Sequence, residues 1–278
     1  MTPLNPSPER HDLLAASTAG TTPLAVASVA SRAKPGKSRW PARLDLLQSL
    51  SGLLLALFLM AHMAFVSSIL ISHDAFYTVA RFFEGAYFLG KPYPILVSGV
   101  VAGVLALFLG HAWLALRKFP AGFRQYRAFV AHKNRLRHGD TSLWWLQVWT
   151  GFALFFMATI HLYQMLMNPS LIGPYESADR VWTGNLWPLY LLLLFAAELH
   201  ASVGLYRLAL KWGWFDSSDQ NRSRRRLRWV KHGLSAFFIT LGLVTLGAYI
   251  DLGRAHAEHA GERYVPASQS APAASGRH

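Results

Sequence analysis

Four histidines lie inside apolar runs that hold few other polar groups. His62 sits in "LFLMAHMAFV", His111 in "LFLGHAWLAL", His161 in "FMATIHLYQM" and His200 in "FAAELHASVG". A single histidine in such a run is more often a hydrogen-bonded packing residue than a ligand. Four of them, one per run, suggest metal chemistry. Neutral imidazole is a common axial ligand of haem iron, and two haems with two histidines each would use all four. The chain contains no cysteine. That excludes disulfides, cysteine-ligated zinc, iron–sulfur clusters held by this chain and thioether-attached haem.

Two carboxylates add proton chemistry. Glu198 lies two residues before His200 in "LYLLLLFAAELHASVGLYRLAL". An ionisable group inside a bilayer costs about 2.5–3.5 kcal/mol even on the mildest insertion scales. On a helix Glu198 and His200 point about 200° apart, so Glu198 is not simply the partner that orients the ligand. It reads either as a neutral packing acid or as a proton relay. Glu84, in "VARFFEGAYFLG", reads from position alone as a surface carboxylate in an outer loop.

The elements that must position these residues are membrane spans. Of the 278 residues, 53% are hydrophobic and only 15% charged, against about 25% charged in a soluble domain. Spanning about 30 Å of hydrocarbon takes roughly 20 helical residues. Five stretches qualify, at 44–72, 93–116, 142–167, 186–206 and 230–250. The expected fold is an all-α bundle of five transmembrane helices over 41–251, set in a lipid bilayer. Residues 1–40 lack a basic start followed by an apolar core, so they are read as a disordered cytoplasmic tail. Residues 252–278 are read as a disordered outer tail.

The net charge of +13 could suggest nucleic acid, but its distribution does not. Arg117, Lys118, Arg124, Arg127, Lys133, Arg135 and Arg137 fall between spans two and three. Lys211, Arg222, Arg224, Arg225, Arg226 and Arg228 fall between spans four and five. The positive-inside rule puts these loops and the N-terminus in the cytoplasm, and the C-terminus outside. Depth then sorts the histidines. His111 is six residues before Arg117 and His200 seven before Arg207, about 9 and 10 Å in. His62 is nineteen residues after Arg43 and His161 twenty-one after Asp140, about 28 and 31 Å in. His111 and His200 form an inner pair, His62 and His161 an outer pair.

Small residues flank the ligands at Ala61, Gly110, Ala112 and Ala201. They suit approach of a flat macrocycle and close helix packing alike. Gln48, Ser49, Trp144 and Lys211 fall near the cytoplasmic ends of their spans, where haem propionates want donors. By position Trp144 equally fits an aromatic-belt anchor and Lys211 a snorkelling lysine.

Three stretches carry a family resemblance: "PARLDLLQSLSGLLLALFLMAHMAFVSSILI", "LALRKFPAGFRQYRAFVAHKNRLRHGDTSLWWLQVWTGFALFFMATIHLY" and "WPLYLLLLFAAELHASVGLYRLALKWGWF". From about 40 to 251 the chain resembles the dihaem cytochrome b membrane subunit of quinol:fumarate reductases, relatives of the succinate dehydrogenases. The resemblance implies two b haems ligated by the four histidines, paired as depth pairs them. It implies propionate contacts at Gln48, Ser49, Trp144 and Lys211, menaquinol deprotonation at Glu84 and proton transfer at Glu198. It further implies flavoprotein and iron–sulfur subunits docked on the basic loops, a dimer of heterotrimers, and a multi-pass place in the cytoplasmic (inner) membrane. Two rivals share some features. The quinone-reactive cytochrome b of a hydrogenase or formate dehydrogenase lacks these loops. A proton-coupled transporter would favour spans broken near the midplane.

Overall fold

The computed structural model describes residues 38–119, 122–135, 139–215 and 217–270. The described body from Arg39 onward consists of helices. They are α1 (Trp40–Val66), α2 (His73–Phe83), α3 (Ala86–Leu89), α4 (Pro94–Leu116), α5 (Phe123–Arg135), α6 (Gly139–Met167), α7 (Pro174–Val181), α8 (Trp187–Lys211), α9 (Gln220–Ala255) and the one-turn α10 (Ala267–Ser270). Five of them, α1, α4, α6, α8 and α9, are long and apolar enough to cross a membrane. At 1.5 Å per residue the 25 residues of α8 reach about 38 Å, enough for the hydrocarbon core with tilt.

Local chemistry sets the helix starts. Pro41, Pro94, Pro174 and Pro188 occupy first-turn positions, where a missing N–H costs nothing. Ser72 caps α2 by accepting from Ala75 N, and Asp219 caps α9 by accepting from Asn221 N and Arg222 N. Gly85, at φ 77°, supplies the left-handed turn between α2 and α3 that a side chain would resist.

Helix packing forms a four-sided ring. Helix α1 packs on α4, α4 on α6, α6 on α8 and α8 back on α1; α9 lies outside against α8 and α1. Large apolar residues such as Phe156 and Leu192 face outward, where lipid would meet them. Two buried polar contacts tie α9 to the end of α1: Ser67 Oγ lies 2.8 Å from Thr245 Oγ1, and Tyr249 OH donates to Val66 O at 3.2 Å. At Gly242, α9 comes close enough to α8 and α1 that an added Cβ would collide with Leu194 and Met63.

The largest shift of a sequence boundary is at α9. Helix α9 starts ten residues before the apolar run at 230, because Gln220–Arg228 continue the helix outside any hydrocarbon. It also runs past 251 to Ala255. The segment read as the start of an outer tail is instead tied down up to Tyr264. His256 Nδ1 lies 2.9 Å from Asp179 Oδ1, Gly261 N donates to Asp179 Oδ2 at 2.8 Å, and Tyr264 OH donates to Asp74 Oδ1 at 2.7 Å. His256 also stacks on Tyr175 at 4.2 Å. Hydropathy cannot register such contacts. Residues 1–37 and 271–278 of the two expected tails lie outside the described residues.

Candidate functional site

The ring encloses a cavity of about 1030 Å³ lined by His62, His111, His161 and His200. Pockets for single small ligands run about 300–1,000 Å³. The histidines meet across the ring in two pairs on diagonally opposite helices. His62 on α1 faces His161 on α6, ring centroids 6.0 Å apart; His111 on α4 faces His200 on α8 at 6.5 Å. Two imidazoles on opposite sides of one metal, each with a bond of about 2.0–2.1 Å and about 1.1 Å more to the ring centre, stand about 6.2–6.4 Å apart. Among the described residues no three His, Asp or Glu side chains converge on one point. Two nitrogens per site suit a metal whose remaining ligands arrive with a macrocycle.

The inner imidazoles are fixed by their second nitrogen. His200 Nδ1 lies 2.9 Å from Gln147 O, which can only accept, so the proton sits on Nδ1 and Nε2 keeps its lone pair. Ser51 Oγ donates to Gln48 O at 3.2 Å and therefore receives the His111 Nδ1 proton at 3.0 Å. Metal-bound histidines characteristically donate their other N–H in this way. Two glycines make room for the rings. A Cβ at Gly52 would stand 2.9 Å from His111 Cε1, and one at Gly151 3.0 Å from His200 Cε1. Gly110, named from sequence, faces open space instead. In the outer pair His62 stacks on Phe58, and His161 meets the edge of Tyr190. His161 Nδ1 is buried without a partner.

Gln48, Ser49, Trp144 and Lys211 all line the cavity, at the end where the basic loops leave the bundle. Lys211 Nζ donates to Ser49 Oγ at 2.8 Å, and Gln48 Oε1 is buried without a partner. Sequence reasoning missed Asp45 and Lys118. Asp45 pairs with both Lys118 and Lys211, joining α1 to the ends of α4 and α8. No spacing rule links residues so far apart in the chain. Arg180 was also missed. It lines the far end of the cavity and donates to Leu171 O and Ser177 Oγ, both at 3.0 Å, while its Nε is buried without a partner. A lone arginine beside an outer loop carries no spacing signal that marks it.

Glu198 is buried and lines the cavity. Glu84 is not a surface carboxylate: it is fully buried at the end of α2. Arg81 Nη1 reaches Glu84 Oε2 at 2.6 Å, and Tyr93 N donates to Glu84 O at 2.8 Å. Burial pushes the Glu84 carboxyl above the usual range, Arg81 and Arg263 pull it down, and Glu176 pushes it further up. Glu84 is not in the cavity wall. Its helix neighbours Ala80 and Phe83 are, so it stands behind the wall at the His62–His161 end.

Comparison with known proteins shows the family. The family model of the succinate dehydrogenase/fumarate reductase transmembrane subunit matches residues 123–242. The chain is 56% identical to the fumarate reductase cytochrome b subunit of Helicobacter pylori over 223 residues, covering 80% of this chain and 86% of that one. It is 52% identical to the fumarate reductase cytochrome b subunit of Wolinella succinogenes over 217 residues, covering 78% and 85%. The five spanning helices make the chain a multi-pass membrane protein, and by this similarity along most of its length it belongs to the family of fumarate reductase cytochrome b subunits.

Proposed function

We propose that this chain is the quinol-oxidising membrane anchor of a fumarate reductase and holds two b haems, one between His62 and His161 and one between His111 and His200. The facing of the four histidines in two pairs at metal-spanning distance carries this reading. When bound, the two haems supply one-electron transfer between menaquinol and the iron–sulfur partner, which with a flavoprotein reduces fumarate to succinate. The same chain of cofactors serves succinate oxidation in reverse.

The chain's own residues bind, orient and handle protons. Ser51 and Gln147 O hold the inner imidazoles with Nε2 toward the cavity. Lys211, held by Asp45 and Ser49, offers positive charge to the propionates of the inner haem, with Gln48 and Trp144 beside it. Arg180 offers the same at the opposite end. Menaquinol binds near the outer pair, and Glu84, behind the cavity wall at that end, takes up a proton released on its oxidation. Glu198 takes up and releases a proton inside the bundle. The basic loops face the cytoplasm and dock the two soluble subunits, and the complex pairs into a dimer of heterotrimers in the inner membrane.

A pyridine haemochrome assay on the purified complex tests the reading. It should return two b haems per copy of this chain. One haem would remove one of the two sites, and none would return the histidines to packing.

A further inference from the structure

The cytoplasmic end of helix α9 carries a charge pattern that the cavity does not use. Ser223, Leu227 and Lys231 are buried on the face packed against α8. Arg222, Arg225, Arg226 and Trp229 repeat at i, i+3, i+4 and i+7, which puts them on one stripe of the opposite face. All four are exposed, Trp229 by 72%. The stripe continues through Gly233, Ala236, Thr240 and Val244. There a shallow apolar groove of about 480 Å³ is lined by Leu70, Ala236, Phe237, Thr240, Leu241 and Val244.

Helix register sets the depth of the stripe. Gly242 meets Leu194, and Leu227 packs with Tyr206 and Ala209. Continued in the same antiparallel register, these contacts set Arg225 level with Lys211, in the layer where Asp45, Lys118 and Lys211 form their ion pairs. That layer marks the membrane interface. Ala236 and Thr240 then lie about 16 and 22 Å along the axis from Arg225. One leaflet offers about 15 Å of hydrocarbon and about 6 Å of headgroup. Guanidinium groups at headgroup level, an aromatic ring at the boundary and an apolar groove at acyl depth follow one another along a single line.

We infer that this face of α9 is a binding site for an anionic phospholipid. Its phosphate is held by Arg222, Arg225 and Arg226, and its acyl chain lies along Ala236 and Thr240 toward Val244. Charge complementarity selects the occupant. A zwitterionic lipid would fill the groove equally well but bring no net charge to three guanidinium groups.

Native mass spectrometry of the delipidated whole complex, titrated in turn with phosphatidylglycerol and phosphatidylcholine, tests the site. The wild type should bind phosphatidylglycerol more tightly. Each arginine near an anionic headgroup contributes about fivefold, so R222Q/R225Q/R226Q should weaken phosphatidylglycerol by up to about a hundredfold and leave phosphatidylcholine nearly unchanged. Equal phosphatidylglycerol affinity in wild type and variant would overturn the assignment. So would loss of the soluble subunits from the variant with lipid affinity unchanged, which would make the stripe a protein-docking surface. If the triple variant does not assemble, Thr240→Trp fills the groove with the arginines intact. It should lower the affinity for both lipids, and unchanged binding there would equally overturn the site.

Discussion

Glu84 and Glu198 both lie where a charge is costly, in different surroundings. Glu84 is fully buried beside Arg81, and burial raises its carboxyl pKa despite that cation. Glu84→Gln should abolish quinol-linked turnover while both haems stay bound. Fumarate reduction by an artificial soluble donor should survive, because that donor bypasses the quinol site; unchanged quinol oxidation would remove Glu84 from the chemistry. A base works ionised, so the acid limb of quinol turnover should sit above the ordinary glutamate value. Arg263 lowers the Glu84 pKa, so Arg263→Gln should move that limb to higher pH. The same sign governs stability: a carboxyl raised on folding stabilises below its unfolded pKa, and that contribution is lost as pH rises through the folded value. Glu198→Gln keeps shape and hydrogen bonding but cannot change protonation. It should retain both haems and slow menaquinol turnover. Wild-type rates, with an unchanged pH dependence of the haem potentials, would leave Glu198 a packing acid.

At the scale of elements, the five spans are legible in the sequence, because a run of about 20 apolar residues is a one-dimensional signal. That signal does not locate what holds them. The bonds from Ser51 and Gln147 O to the imidazoles, the bridge of Asp45 to Lys118 and Lys211, and the room left by Gly52 and Gly151 each join segments about 50 or more residues apart. No local pattern encodes such pairs. The same limit hid the segment after α9, where polar composition suggested disorder while Asp179 accepts from both His256 and Gly261 N. Asp179→Ala breaks two bonds to a carboxylate and leaves His256 buried without its partner. It should cost about 2–4 kcal/mol, seen as faster thermal inactivation of the complex with the haem spectrum intact beforehand. Unchanged inactivation would mean the segment adds nothing to stability.

At the scale of the whole molecule, the ring of α1, α4, α6 and α8 is a frame around one cavity. Each diagonal holds one histidine pair, and α9 braces the ring from outside. His161 Nδ1, Gln48 Oε1 and Arg180 Nε, on residues that line the cavity, are buried without partners. The central claim is the pairing: α1 with α6, α4 with α8. A redox titration of the haem absorbance in the four single alanine variants, beside the wild type, tests it most directly. The wild type should titrate as two components. His62→Ala and His161→Ala should both lose one and the same component, and His111→Ala and His200→Ala should both lose the other. A component lost in common by one member of each pair, or any variant that keeps both haems at full occupancy, would contradict the pairing.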